Sequence, residues 1–253
     1  MNFLDRFRYS YDNLKELNLN KEEKTKKTNF NNPILKSLLS TSVKVTPEIF
    51  PKIDKCIKTV FNKLELKNNF NFFVTANHNQ SQASCAMMPE SASAEIVITS
   101  KMVELLNGEE LQYVIGHEVS HHYYQHNIYP TPNQAKNKPE LLNLLHLSRA
   151  SEISADRAGF LGSGNIENSL RAMLKITSGL GDEHLTFNFS SYLDQLRELK
   201  EIKGDQSQLY STHPSFLNRM QALVWFSMSH EYHEYFETNK KGSYDLKTVD
   251  QKI

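Results

Sequence analysis

The stretch His117-Glu118-Val119-Ser120-His121 constrains this chain more than any other, because its chemistry makes sense only on a helix. Four residues advance about 400° and about 6 Å along an α-helix, so the two imidazoles stand one turn apart on one face and can grip a single ion. Glu118 lies about 100° round the same turn, close enough to exchange a proton with a water on that ion without being a ligand. The flanking residues supply the helix. Glu109 and Glu110 place acid near its start, and Leu111, Val114 and Ile115 recur at helical spacing.

A catalytic zinc takes three protein ligands and keeps a fourth position open. The metzincin pattern would place a glycine and a histidine where Tyr124 and Asn127 stand, so His122 and His126 are assigned to the surface or to contacts behind the ligands. The better third ligand lies in Glu152-Ile153-Ser154-Ala155-Asp156. Alone, this is an ordinary solvated face with i,i+4 partners. Beside the histidine pair it can be a ligand helix: Ala150, Ala155 and Ala158 are small enough for close approach, Glu152 completes a two-His, one-Glu set, and Asp156 would accept a hydrogen bond from a ligating imidazole and fix its tautomer.

Three motifs in order, Val114-Ile115-Gly116-His117-Glu118-Val119-Ser120-His121, Glu152-Ile153-Ser154-Ala155-Asp156, and Ser211-Thr212-His213-Pro214-Ser215 running on to Arg219 and Met220, resemble the gluzincin zinc metallopeptidases of the HtpX and CaaX prenyl endopeptidase type, metallopeptidase family 48. Ala94 to Leu106 resembles the strand and short helix that precede the active helix there, so the likeness spans Thr46 to Leu223. It implies that His117, His121 and Glu152 bind one Zn(2+) per chain, that Glu118 is the general base, and that Asp156 supports a ligand. It also implies that His213 reaches back to the site, as an oxyanion stabiliser or as a transient occupant of the open metal position, with Arg219 tethering its helix. Thr212 or Ser215 beside Pro214 would start a helix whatever His213 does.

The expected function is a zinc metalloendopeptidase acting on unfolded or flexible protein segments by zinc-activated water. A catalytically silent zinc-binding interaction module of the same fold is the alternative, and the intact Glu118 argues against it. A helical adaptor with an incidental His-rich helix would bind no stoichiometric zinc. Ala83 to Met88 and Ala94 to Thr99 are β-prone, and one could be an edge strand on which an extended peptide pairs, with Ala86, Met87 and Met88 against substrate; they could equally be an interior pair.

Composition sets the remaining bounds. The 253 residues carry 29 basic and 29 acidic side chains, which gives no electrostatic case for nucleic acid. Cys56 and Cys85 read as reduced thiols. No apolar run has the roughly 18 residues of a membrane span and the start has no secretory h-region, so the chain is expected to be cytoplasmic, unlike the best-known members of the family it resembles. Phe3, Phe7, Tyr11 and Leu14 form a stripe that could touch a bilayer surface but is better explained by packing on the domain. Oligomeric state is left open.

The expected fold is α+β and predominantly helical: a zincin-like domain over 33–229 with a small sheet, preceded by a helix and charged connector in 1–32 and followed by a loosely ordered tail in 230–253. The first helix is expected from Phe3 to Leu19, before the charged run Lys21 to Thr28. Thr46-Pro47-Glu48 reads as the start of a helix with a core stripe of Ile49, Ile53, Ile57, Val60, Phe61 and Leu64. Tyr129 to Pro139 must be a loop, a candidate lid, and Gly162-Ser163-Gly164 and Gly179-Leu180-Gly181 read as breaks.

Overall fold

A computed structural model describes residues 2–14, 32–67, 69–76, 82–86, 93–202, 207–238 and 240–253. Its helices are α1 (Pro33–Thr41), α2 (Pro51–Lys63), α3 (Ser100–Leu105), α4 (Gly108–Tyr123), α5 (Lys138–Ser163), α6 (Ile166–Ser178), α7 (Phe189–Glu201), α8 (Phe216–Ser227), α9 (His230–Tyr235) and α10 (Leu246–Asp250). Its strands are β1 (Val43–Lys44), β2 (Phe70–Thr75), β3 (Ala83–Ala86) and β4 (Ala94–Thr99). The fold is therefore α+β, mostly helical, with one small mixed sheet.

The sheet runs β1-β2-β4-β3, with β2 and β4 parallel and the outer pairings antiparallel. β4 is an interior strand, which is why Ala94, Ile96 and Ile98 are all fully buried. β3 is an edge strand, as is the short β1, and pairs with β4 from Ala83 opposite Ile98 to Ala86 opposite Glu95.

α4 begins at a capping box. The Asn107 side chain accepts from the Glu110 amide at 2.9 Å, and the Glu110 carboxylate accepts from the Asn107 amide at 2.9 Å. Buried Lys175 of α6 donates to the same Glu110 at 2.7 Å, clamping that end of α4. α5 starts at Asn137, whose side chain accepts from Glu140, and Pro139 sits in its first turn. It runs unbroken through Gly162 and stops at Ser163, where Gly164 takes a left-handed φ of 75°. Gly179 ends α6 in the same way, with φ 72°.

α4 and α5 cross at two glycines. A Cβ at Gly116 would lie 2.9 Å from the Ala158 carbonyl oxygen, and one at Gly159 would lie 2.7 Å from the Tyr113 carbonyl oxygen. Neither position has room for a side chain, and this crossing sets the two ligand-bearing helices face to face.

Three expectations fail. The N-terminal helix is only a 3-10 turn, Leu4–Phe7, among the described residues; Phe7 and Leu14 of its stripe are buried in the protein while Tyr11 is exposed, and residues 15–31, the charged connector included, lie outside the described residues. α2 starts at Pro51 rather than beside Thr46, so Ile53, Val60, Phe61 and Leu64 are buried and Ile57 is half-buried, whereas Ile49 lies before the helix and is exposed. The tail is ordered: it forms α9 and α10, Val249 is fully buried, and buried Asp250 pairs with buried Arg157 of α5 at 2.5 Å.

Candidate metal centre

α4 and α5 bring His117, His121 and Glu152 together beside β3. The two Nε2 atoms are 3.1 Å apart, and the Glu152 oxygens stand 3.6 Å from that of His117 and 3.7 Å from that of His121. One donor atom from each residue falls within 4.8 Å of the others. Ligands held about 2.0–2.1 Å from a tetrahedral ion stand about 3.3 Å apart, so the set has the size of a zinc site.

Proton bookkeeping agrees. An ionised carboxylate only accepts, so His117 donates through Nδ1 to Asp156 Oδ1 at 3.0 Å, leaving its Nε2 lone pair directed at the site. Asp156 is saturated by further donors, Tyr113 Oη at 2.6 Å and the Arg219 guanidinium at 2.6 and 2.8 Å. Burial works against the Asp156 charge, but Arg219 and the hydrogen bonds outweigh it and hold its pKa well below the usual carboxylate range. Burial also opposes charge on His117, yet the Asp156 hydrogen bond and the Glu152 charge raise its pKa. His121 moves the other way: burial, then the neighbouring His117 and His126, lower it well below the ordinary value.

Glu118 is buried on the same turn, and desolvation raises its pKa. It lines an open cleft of about 530 Å³ together with the three ligand candidates, Gln82, Ala83 to Cys85 of β3, Met102, Val114, Ile176, His213 and Arg219. His213 is exposed on the loop before α8, its Nε2 3.6 Å from Glu152 Oε1. Arg149 of α5 holds that loop by donating to the carbonyls of Leu209 and Ser211 at 3.2 and 2.9 Å, while Ser215 caps α8. Arg219 ties α8 back to α5 through Asp156.

The edge strand differs in detail from expectation. Ala86 ends β3 but does not line the cleft, whereas Gln82, Ala83, Ser84 and Cys85 do; Met87 and Met88 lie outside the described residues. Both cysteines are free thiols. Sequence reasoning missed Tyr113, although its position one turn before His117 puts it on the same face. It also missed Asp12, for which the local sequence holds no signal. His126 stands edge-on behind His121, with Nδ1 atoms 2.8 Å apart, and its Nε2 lies 2.9 Å from Asp12 Oδ2.

A model of peptidase family M48 matches residues 46–143 and 138–225, which is most of the chain and takes in every residue lining the cleft but not Asp12. The chain belongs to that family. Membership of family M48 carries metalloprotease activity on peptide substrates, typically dependent on zinc, and the His-His-Glu cluster suits that metal. No curated protein and no solved structure matches the chain. Among the described residues no helix is long and apolar enough to cross a membrane.

Proposed function

We propose that this M48 protein is a zinc-dependent endopeptidase of the HtpX and CaaX prenyl endopeptidase type, zincin-like in fold, in which His117, His121 and Glu152 hold the ion and Glu118 is the general base. The convergence of those three donors next to a buried, desolvated glutamate carries the reading. Bound zinc would polarise a peptide carbonyl and acidify a water. Glu118 would take a proton from the attacking water and return it to the leaving amine, work for which a carboxyl pKa raised by burial is suited. Asp156 and Arg219 keep His117 in the ligating tautomer, and exposed His213 stands where it can donate to the developing oxyanion.

The cleft is walled by β3, whose outer edge pairs with no other strand among the described residues. An extended peptide can add there by main-chain hydrogen bonds, which tolerates many sequences and suits unfolded or flexible segments. Substrate contact then falls on Gln82 to Cys85, with Ala86, Met87 and Met88 continuing the same run.

Glu118→Gln decides between hydrolysis and a silent zinc-binding module. We expect it to lower kcat on a denatured-protein substrate by at least about 10²–10⁴-fold while leaving one zinc per chain. Undiminished cleavage by the pure variant would remove Glu118 from the mechanism, and wild-type protein with tight zinc but no turnover would establish the silent module.

A further inference from the structure

The outermost contact behind the ligands comes from a part of the chain that the family match does not include. Asp12 lies in the described N-terminal segment 2–14, 114 positions from His126, and its side chain is fully buried. It accepts from His126 Nε2 at 2.9 Å, from Tyr129 Oη at 2.6 Å and from Arg8 Nε at 3.0 Å. Because the carboxylate only accepts, His126 carries a proton on Nε2, and its neutral imidazole then presents a bare Nδ1. That Nδ1 faces His121 Nδ1 at 2.8 Å, so His121 must donate there and keep its Nε2 free of a proton. His121 Nε2 is the atom that stands 3.1 Å from His117 Nε2. That arrangement gives each link from Asp12 through His126 to His121 one proton and leaves two Nε2 lone pairs aimed at one point.

We propose that Asp12 and His126 form a two-link hydrogen-bond relay that fixes the tautomer and orientation of His121, making the N-terminal segment a positioning part of the metal centre. The relay mirrors the Asp156 contact to His117, with one imidazole interposed because Asp12 sits too far back to reach His121 itself. Packing holds the His126 ring in place, since its side chain is 6 % exposed and the ring stacks on Tyr124 at 5.5 Å and meets Tyr129 at 5.2 Å. The proposal rests on His121 being a zinc ligand.

Zinc dissociation constants, measured by chelator competition on Asp12→Ala, His126→Phe and His126→Gln, test it. His126→Phe keeps the ring packing and deletes both hydrogen bonds, whereas the His126→Gln carboxamide can still accept from His121 and donate to Asp12. We expect Asp12→Ala and His126→Phe to weaken zinc binding about 10–100-fold and His126→Gln to recover most of that loss. Lys175→Met breaks the buried Lys175–Glu110 pair at the far end of α4 and should cost stability while leaving zinc affinity within about threefold. Long-range nitrogen–proton spectra of the zinc-loaded protein should show His121 protonated on Nδ1 and His126 on Nε2. Wild-type affinity in folded Asp12→Ala, or an equal loss in Lys175→Met, overturns the relay. If His126→Phe does not fold, Asp12→Ala and the spectra decide. Wild-type protein that takes up no zinc, or whose zinc affinity survives His121→Ala, fails the ligand reading itself.

Discussion

Asp12 shows how much one buried carboxylate can be asked to hold. Burial alone would raise its pKa, but its contacts with His126 and then the Arg8 guanidinium bring it well below the ordinary carboxylate range. A depressed folded-state pKa contributes stability that is complete above the unfolded value of about 3.9 and is lost as pH falls toward the folded one. Metal-free wild type should therefore lose unfolding free energy as pH drops from about 4 toward 2, and Asp12→Ala, less stable throughout, should decline less steeply over that window. Urea titrations at stepped pH measure both slopes, and parallel slopes would remove Asp12 from the acid response. Legibility at this scale divides along the same line. His117, Glu118 and His121 could be read because one helical turn fixes their relation, and Glu152 and Asp156 because they share a face of one further helix. The link from Asp12 to His126 could not, since it depends on where a 3-10 turn at the far end of the chain comes to rest.

Between elements, what matters is how closely α4 approaches α5. Ala150, Ala155 and Ala158 announce a close crossing in the sequence, but the contact itself is made by Gly116 and Gly159. A Cβ at 159 would meet the Tyr113 carbonyl at 2.7 Å and its ring at 2.8 Å, so the helices must part to admit it. Gly159→Ala should cost about 1–3 kcal/mol despite alanine's better helix propensity, and should weaken zinc binding by drawing Glu152 away from the histidines. Gly108→Ala is the matched control, because its Cβ meets only Cys56 Sγ at 3.7 Å and stability should hold or rise. Thermal melts and chelator competition on both variants make the comparison; unchanged zinc affinity in Gly159→Ala would show that the crossing has slack. The start of α2 illustrates a local signal overruled by a local fact. Thr46 Oγ1 does accept from the Ile49 amide at 3.3 Å, as a cap should. A helix continuing from Pro47 would need the Pro51 nitrogen to donate to the Pro47 carbonyl, and proline has no N–H and crowds that oxygen, so the helix begins afresh at Pro51.

Across the whole molecule, both chain ends close on the middle of α5. Arg157 is fully buried, donates to the Phe7 carbonyl at 3.3 Å and to Asp250 at 2.5 Å, and lies 5.2 Å from the rings of both Tyr9 and Phe226. Asp250 also accepts from the Ser10 amide at 2.9 Å, and the Tyr9 amide donates to Ser154 at 3.0 Å. The tail shows no apolar period to announce this order, because its anchor is one ion pair between residues 93 positions apart together with Val249. Through Phe7 and Ser10 both members of that pair also bond the segment carrying Asp12, so the ends belong to the architecture around the helix carrying Glu152. Truncating either partner strands a buried charge, and Arg157→Ala or Asp250→Ala should each lower stability by about 3–5 kcal/mol. Replacing both by apolar residues of similar volume, Arg157→Met with Asp250→Leu, removes the stranded charge as well as the attraction and should restore most of the loss. Urea unfolding of the two single variants and the double variant measures the coupling directly. Additive losses in the double variant would mean that the pair is incidental and that apolar packing around Val249 and Phe7 alone holds the ends in place.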